Sequence, residues 1–135
     1  MPWPDGIAVA QVRIVRPTDR LDEVSRFYRD GLGLPVLDSF TGHAGYDGVF
    51  FGLPGRDYHL AFIRRPDNSP SPAPTRDNLL VLYLPDPAHL AGLRARMEGL
   101  GHREVEPENP YWRGRAVTYE DPDGWRVVLC STAGI

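Results

Sequence analysis

The sequence predicts an α+β fold built from two tandem strand-helix-three-strand (βαβββ) units. Segments with strand and helix periodicity follow the same order in both halves. A hairpin signal closes the second half, because Asp121–Gly124 has the turn residues Asp-Pro-Asp-Gly between two β-rich segments. Three pairs of landmarks share one spacing of 68 residues, which indicates an internal duplication: Pro17 and Pro85, Gly31–Gly33 and Gly99–Gly101, and Pro54 and Pro122.

All 135 residues are predicted to form one domain, since this length suits a single hydrophobic core. The first unit spans about residues 9–64 and the second about residues 78–131. Between them, residues 65–77 contain four prolines together with serine and asparagine. This composition favours an extended linker over a helix or a central strand.

The first unit opens with a strand and a helix. Val9–Arg16 alternates as a strand, with Arg13 either on a solvated face or in a cavity as an anion clamp. A helix is predicted to begin after Thr18, its candidate N-cap, and to end at Gly31 or Gly33. The sheet-facing stripe of this helix has helical spacing and consists of Leu21, Val24, Phe27, Tyr28 and Leu32.

Three further strands are predicted in the first unit, at residues 35–40, 49–53 and 58–63. In the last of them His59 shares a face with Ala61, and it is either a hydrogen-bonded core residue or a ligand or base. The glycine-rich turn at residues 41–48 contains His43, Tyr46 and Asp47. These three residues either line the rim of a site or are ordinary loop residues.

The second unit repeats the pattern. Residues 78–84 form a nearly all-apolar strand with Tyr83 as a polar group, and Asp86-Pro87 marks the start of a helix that ends at Gly101. A strand is predicted at residues 103–106, followed by hairpin strands at residues 116–119 and 125–130. The core stripe of the helix consists of Leu90, Leu93, Met97 and Leu100.

A proline-bent loop at residues 107–115 places Tyr111 and Trp112 next to Asn109 and Arg113. Two aromatic side chains beside polar groups suit a flat or amphipathic ligand. A hydrophobic plug and a patch for a second subunit are equally compatible with the same residues.

Charge and composition exclude several classes of partner. The net charge is −3 and the arginines are scattered, which argues against nucleic acid binding. No apolar run is long enough for a membrane span, and the N-terminus lacks a signal-peptide pattern. The single cysteine, Cys130, is predicted to be an inert buried thiol, and a cytoplasmic location is expected.

The paired units are accompanied by two motifs. One is Phe27–Leu34 (FYRDGLGL) at the end of the first helix, and the other is Glu120–Gly124 (EDPDG) before the last strand. Together they resemble the vicinal oxygen chelate superfamily of glyoxalases, bleomycin resistance proteins and extradiol dioxygenases, from about residue 9 to 129. The resemblance implies that the units form curved sheets around a cup. Four further segments resemble an uncharacterised bacterial subgroup of glyoxalase-like proteins: Gly42–Gly48, Gly52–Gly55, Tyr58–Leu60 and Asn109–Trp112.

The resemblance also implies positions for metal ligands, which in metal-using members come from the first and fourth strands of each unit. In the first unit these positions fall at Gln11, or at Arg13 in a shifted register, and at Ala61, with His59 two residues earlier. In the second unit they fall at Leu79 or Leu80 and at Val128. Because an ion needs three or more converging donors, no metal site is predicted, with Gln11 and His59 as weak candidates.

The favoured prediction is therefore a metal-free small-molecule binder without a cofactor, and the resemblance implies that it is a homodimer. Whether it is also an enzyme stays open. Arg13 and His59 are expected to hold an anionic or carbonyl group, with aromatic walls around it. The walls are Tyr46, Tyr83, Tyr111 and Trp112, and His43 and Asp47 complete the candidate ligand-binding set. The alternative is an enzyme that uses a divalent metal at Gln11, His59 and His43, or His59 as a general acid or base.

Overall fold

A computed structural model describes residues 2–135. In the first half, β1 (Val12–Pro17), β2 (Val36–His43), β3 (Tyr46–Gly52) and β4 (Tyr58–Arg64) form a four-stranded sheet in the order β1-β4-β3-β2. Strand β1 is parallel to β4, and the other neighbours are antiparallel. This is the predicted α+β architecture, which the structure confirms.

Helix α1 (Leu21–Ser25) continues directly into a π-helix at Arg26–Gly31. Its widened turn is closed by a hydrogen bond from the Leu32 amide to the Phe27 carbonyl, 3.0 Å long and five residues apart. At its end, a Cβ on Gly31 would lie 2.8 Å from the sulfur of Met97, so glycine allows the two halves to pack closely here.

The second half forms a three-stranded sheet in the order β5-β7-β6. Its elements are β5 (Leu79–Tyr83), α2 (Pro87–Gly99), a 3₁₀ turn (Pro110–Trp112), β6 (Ala116–Glu120) and β7 (Arg126–Cys130). The predicted strand at residues 103–106 is wrong, because only Glu104 makes an isolated bridge, with Tyr119. Pro107 follows directly, and its ring removes the amide that would extend the ladder.

The helix ends confirm one predicted cap and correct another. Asp86 accepts a hydrogen bond from the Ala88 amide at 2.9 Å and caps α2 as predicted. The Thr18 prediction is wrong, because α1 begins at Leu21 with Arg20 in the N-cap position. The Thr18 hydroxyl instead accepts from the Arg20 amide in the preceding turn, at 2.9 Å.

One hydrophobic core joins both halves. The core contains residues of α1, of its π-helical continuation and of both sheets, together with Met97 of α2. Cys130 is buried, as predicted. Leu100 is not part of the core, because it caps the end of α2 and is 52% exposed. The central members of the core are Val24, Phe27, Tyr28, Phe51, Leu60, Phe62, Met97, Tyr119, Val127 and Leu129.

The β6–β7 turn is the polar joint between the halves. The Asp121 carboxylate accepts from the Tyr28 hydroxyl at 2.7 Å and from the amides of Asp123 and Trp125 at 2.9 and 3.0 Å. Burial raises the pKa of Asp121, although these hydrogen bonds oppose the rise. The Arg16 guanidinium stacks 4.2 Å above the Trp125 ring.

Two donors at this joint have no partner among residues 2–135: Nη1 of Arg16 and Nε1 of Trp125 are both buried without a hydrogen bond. In the same part of the chain, no helix is both long enough and apolar enough to cross a membrane.

Candidate functional site

The parallel pairing of β1 and β4 places Arg13 directly opposite His59. Leu60 and Phe62 of β4 belong to the core, so the alternating residues His59 and Ala61 lie on the other side of the sheet. We call this side the open face of the first sheet. On it, Nε of Arg13 donates a hydrogen bond to Nε2 of His59 at 2.7 Å.

Phe50 of β3 completes this cluster. The Arg13 guanidinium lies 4.5 Å from the centre of the Phe50 ring, and the ring meets His59 edge-on at 6.1 Å. Phe40 lies 5.7 Å from Phe50 and covers Gly48 so closely that a Cβ there would collide with it. The open face therefore combines a cation, an imidazole and an aromatic wall.

The hydrogen bond fixes the roles of the His59 nitrogens. Because Nε of an arginine is always a donor, Nε2 of His59 accepts and its ring proton lies on Nδ1. His59 is only 5% exposed, and its buried Nδ1 has no partner among residues 2–135. Arg13 is exposed, and its two terminal nitrogens make no hydrogen bond to described residues, so they are available to a ligand.

The sequence predicted Arg13 and His59 as site residues but did not single out Phe50 or Phe40. Strand alternation was the available signal for Phe50, because Val49 and Phe51 on either side of it face the core. For Phe40, the signal was weaker, since its contact with Gly48 depends on the register between β2 and β3.

The hairpin residues divide between the two sides of the sheet. His43 and Tyr46 pair across the β2–β3 turn, with Tyr46 on the side of Phe50 by alternation. Asp47 lies on the side that carries the helices, where its carboxylate binds Arg64 and accepts from the Gly42 amide at 2.9 Å. The hydrogen bond from Arg64, supported by Gly42, lowers the pKa of Asp47. Asp47 therefore lies on the side of the sheet opposite to Arg13.

The corresponding face of the second sheet is covered by a loop. An ion pair between Glu106 and Arg113 at 2.6 Å closes the loop, and the Asn109 side chain caps its 3₁₀ turn. Trp112 from this loop lines a cleft together with Thr118 and Val128 of the sheet, and the cleft is too narrow to hold a water molecule. This position of Trp112 corresponds to the hydrophobic plug, which was one of the alternatives that the sequence left open.

Tyr111 and Tyr83 lie in more exposed positions on the second half. Tyr111 is 56% exposed, meets Trp112 edge-on at 4.9 Å, and has the Arg115 guanidinium 4.5 Å from its ring centre. Tyr83 at the end of β5 is half exposed and lies against Gly134. The structure thus brings Arg13 together with His59 on the first sheet, and Tyr111 together with Trp112 in the loop over the second sheet.

The residues at the positions implied by the superfamily do not fit a divalent metal ion. Among residues 2–135 there is no group of three or more His, Cys, Asp or Glu side chains that could hold one. Ala61, Leu79 and Val128 offer no donor atom, and Gln11 lies exposed ahead of β1. The lone pair on Nε2 of His59 accepts the hydrogen bond of the Arg13 cation, which opposes a second cation there.

The two sheets, the π-helical motif and the Asp121 turn give the chain a glyoxalase-like fold, as predicted. Glyoxalase I from Leishmania major superimposes with a TM-score of 0.70 at 19% identity, covering 93% of this chain and 88% of that one. The antibiotic-binding protein TnmS3 from Streptomyces sp. CB03234 gives 0.66 at 24% identity, covering 92% and 97%. At these identities the likeness shows the fold alone.

The chain belongs to the YycE-like family. Residues 12–63 match the YycE-like N-terminal domain and residues 77–131 the YycE-like C-terminal domain. The uncharacterised protein YycE of Bacillus subtilis (strain 168) is 51% identical over 126 residues, which are 93% of this chain and 91% of that protein. A crystal structure of YycE from Bacillus subtilis superimposes with a TM-score of 0.87 over 93% of this chain and 92% of the other.

Proposed function

We propose that this protein binds a small aromatic or anionic molecule on the open face of the first sheet, without a metal ion. The observation that carries the proposal is the Arg13–His59 pair beside Phe50. A guanidinium with free terminal N–H groups binds a carboxylate or phosphate in a two-point geometry. The neighbouring aromatic ring offers a flat apolar surface to the rest of the molecule.

The proposal includes a second copy of the chain as the cover of the site. Small-molecule sites usually bury most of the ligand surface, and a single open face does not do this. Strands β1 and β5 each pair on one side only, and Val12, Ile14 and Val15 of β1 are exposed apolar residues. We expect a homodimer in which the remaining predicted walls, Tyr46, Tyr83, Tyr111 and Trp112, enclose the ligand.

The alternative is an enzyme of the same superfamily that uses a metal or His59 as a general acid or base. The contact between Arg13 and His59 favours binding over this alternative. Proton transfer to substrate needs an accessible imidazole nitrogen, but Nε2 is engaged by Arg13 and Nδ1 is buried. Proteins of similar fold include both the antibiotic-binding protein TnmS3 and an enzyme, the glyoxalase I of Leishmania major.

Metal content separates the two functions. We expect protein purified without chelators to contain no stoichiometric metal by elemental analysis. We also expect Ni²⁺, Zn²⁺, Mn²⁺ and Fe²⁺ to leave the thermal unfolding midpoint unchanged, because an ion that bound the folded state would raise it. Stoichiometric metal that is lost in His59→Ala would contradict the metal-free proposal.

Oligomeric state is measured separately, by light scattering coupled to size-exclusion chromatography. A mass twice that of the 15.1 kDa chain is expected. A monomer at micromolar concentration would contradict the part of the proposal that concerns the second copy.

A further inference from the structure

A groove of about 400 Å³ lies on the opposite side of the first sheet from Arg13 and His59. One wall is the first helix, which contributes Arg26 and Arg29, and the other wall is the β2–β3–β4 surface. Leu21 and Val49 supply its apolar part, and Ser39 and Thr41 line the side formed by β2. Phe40 and Gly48 border both this groove and the open face, but Arg13, His59 and Phe50 do not line the groove.

The groove is lined by three arginines, Arg26, Arg29 and Arg64, and by two aspartates, Asp22 and Asp47. Arg64 is already bound by Asp47, and Arg29 pairs with its neighbour Asp30 at 2.9 Å. Arg26 is exposed and makes no hydrogen bond or ion pair with any residue in the range 2–135. Arg26 is therefore the arginine of the groove that no carboxylate contacts, although Asp22 lines the same groove one helical turn earlier.

The duplication supplies an internal comparison. Arg94 lies 68 residues after Arg26, which is the spacing of the duplication. Arg26 lies five residues before Gly31, and Arg94 likewise lies five residues before Gly99. Arg94 likewise lines a groove, of about 540 Å³, between its helix and the second sheet. There the carboxylate of Glu104 lies 2.7 Å from Nε of Arg94. Arg94 in the second half is thus in contact with a carboxylate of the chain, whereas its counterpart Arg26 in the first half is not.

We propose that the groove of the first half is a second binding site, for the carboxylate or phosphate group of a small molecule, with Arg26 as its principal contact. The bound oxyanion takes the place that Glu104 occupies on Arg94. Arg29 lies one helical turn further on and adds positive charge, and the hydroxyls of Ser39 and Thr41 are available as further donors. This site is separate from the proposed ligand site on the open face.

The test is a titration of the full-length, ¹⁵N-labelled protein with inorganic phosphate and with acetate, followed by NMR at constant ionic strength. We expect saturable shifts of backbone amides at residues 25–29 and 39–49. Arg26→Ala should weaken the apparent affinity at least fivefold. Arg94→Ala is the matched control, because it removes an exposed arginine at the equivalent helix position, and it should leave these shifts unchanged.

Three outcomes would overturn the proposal. The first is no saturable shift with either anion, and the second is a shift in the groove that Arg26→Ala leaves unaltered. The third is a response confined to Arg13 and His59, which would assign the anion to the open face instead. A folded state of each variant, confirmed by its unchanged dispersed spectrum, keeps loss of binding distinct from loss of structure.

Discussion

Two polar clusters in this protein differ in how far their hydrogen bonds are made within the chain. At the Asp121 turn, a buried carboxylate accepts three hydrogen bonds from its own chain, one from Tyr28 and two from backbone amides. On the open face, the exposed Arg13 makes one hydrogen bond, to His59, and keeps its terminal nitrogens free. The first cluster connects the two halves, whereas the second faces outward.

The comparison teaches where to look for function in a duplicated fold. A buried group whose bonds are made within the chain contributes to stability, and its loss leaves partners unsatisfied. A charged group with spare hydrogen-bonding capacity on an exposed face contributes little to stability and is available to a ligand. Substitutions in the two clusters should therefore separate unfolding free energy from binding.

Asp121→Ala should have the largest effect on stability. It removes the acceptor of three hydrogen bonds and leaves the buried Tyr28 hydroxyl without a partner. We expect the free energy of unfolding to fall by about 3 kcal/mol, measured by chemical denaturation. Asp123→Ala in the same turn is the control and should cost clearly less. Equal losses for the two variants would show that turn geometry, not the Asp121 network, stabilises the joint.

Trp112→Ala should have the second largest effect on stability. Trp112 lies against the second sheet beside Thr118 and Val128, so its removal leaves a gap over that sheet. We expect a loss of about 2 kcal/mol in unfolding free energy. Tyr111→Ala removes the exposed aromatic neighbour from the same 3₁₀ turn and should change stability by less than about 0.5 kcal/mol. The reverse order would mean that Tyr111, and not Trp112, covers the sheet.

Tyr28→Phe should cost about 1 kcal/mol at neutral pH, because only the hydroxyl is lost. Tyr28→Phe should also change how the free energy of unfolding depends on pH in the alkaline range. Burial, together with the Asp121 charge, raises the pKa of Tyr28 well above its ordinary value of 10.0. The unfolded chain therefore loses this proton first, and the stability contributed by Tyr28 falls as pH rises above about 10.

The measurement for Tyr28 is denaturant unfolding between pH 8 and about pH 11. Tyr28→Phe should lose stability less steeply over this range than the unsubstituted protein. Tyr111→Phe, at an exposed tyrosine, should follow the unsubstituted protein. Parallel curves for Tyr28→Phe and the unsubstituted protein would contradict the raised pKa.

Arg13→Ala should have the smallest effect on folding. Its side chain is exposed, so we expect a change of less than about 0.5 kcal/mol in unfolding free energy. A loss comparable to that of Asp121→Ala would place Arg13 among the structural residues and remove the contrast between the two clusters.

The sequence predicted the architecture because repeats, helical stripes and turn residues are local signals. The Asp121 turn and the Asp86 cap were predicted from a few adjacent residues. The strand predicted at residues 103–106 failed because Pro107 outweighs the strand propensity before it.

The candidate site was less predictable, because it depends on register between distant residues. Arg13 and His59 are 46 residues apart, and only the β1–β4 pairing brings them into contact. Asp47 was expected at a rim, but β3 begins earlier than predicted, at Tyr46, and this register turns Asp47 toward Arg64. A one-residue difference in strand register moves a side chain to the other face, which the sequence alone does not reveal.

Ligand binding on the open face is tested most directly by titrating ¹⁵N-labelled protein with benzoate, an aromatic carboxylate. The side-chain Nε–H of Arg13 reports on its own hydrogen bond to His59. We expect saturable shifts of this signal and of the His59 amide in the unsubstituted protein. In Arg13→Ala, we expect benzoate binding to be lost. Saturating benzoate that leaves both signals unmoved, or that binds Arg13→Ala equally well, would contradict the proposed site.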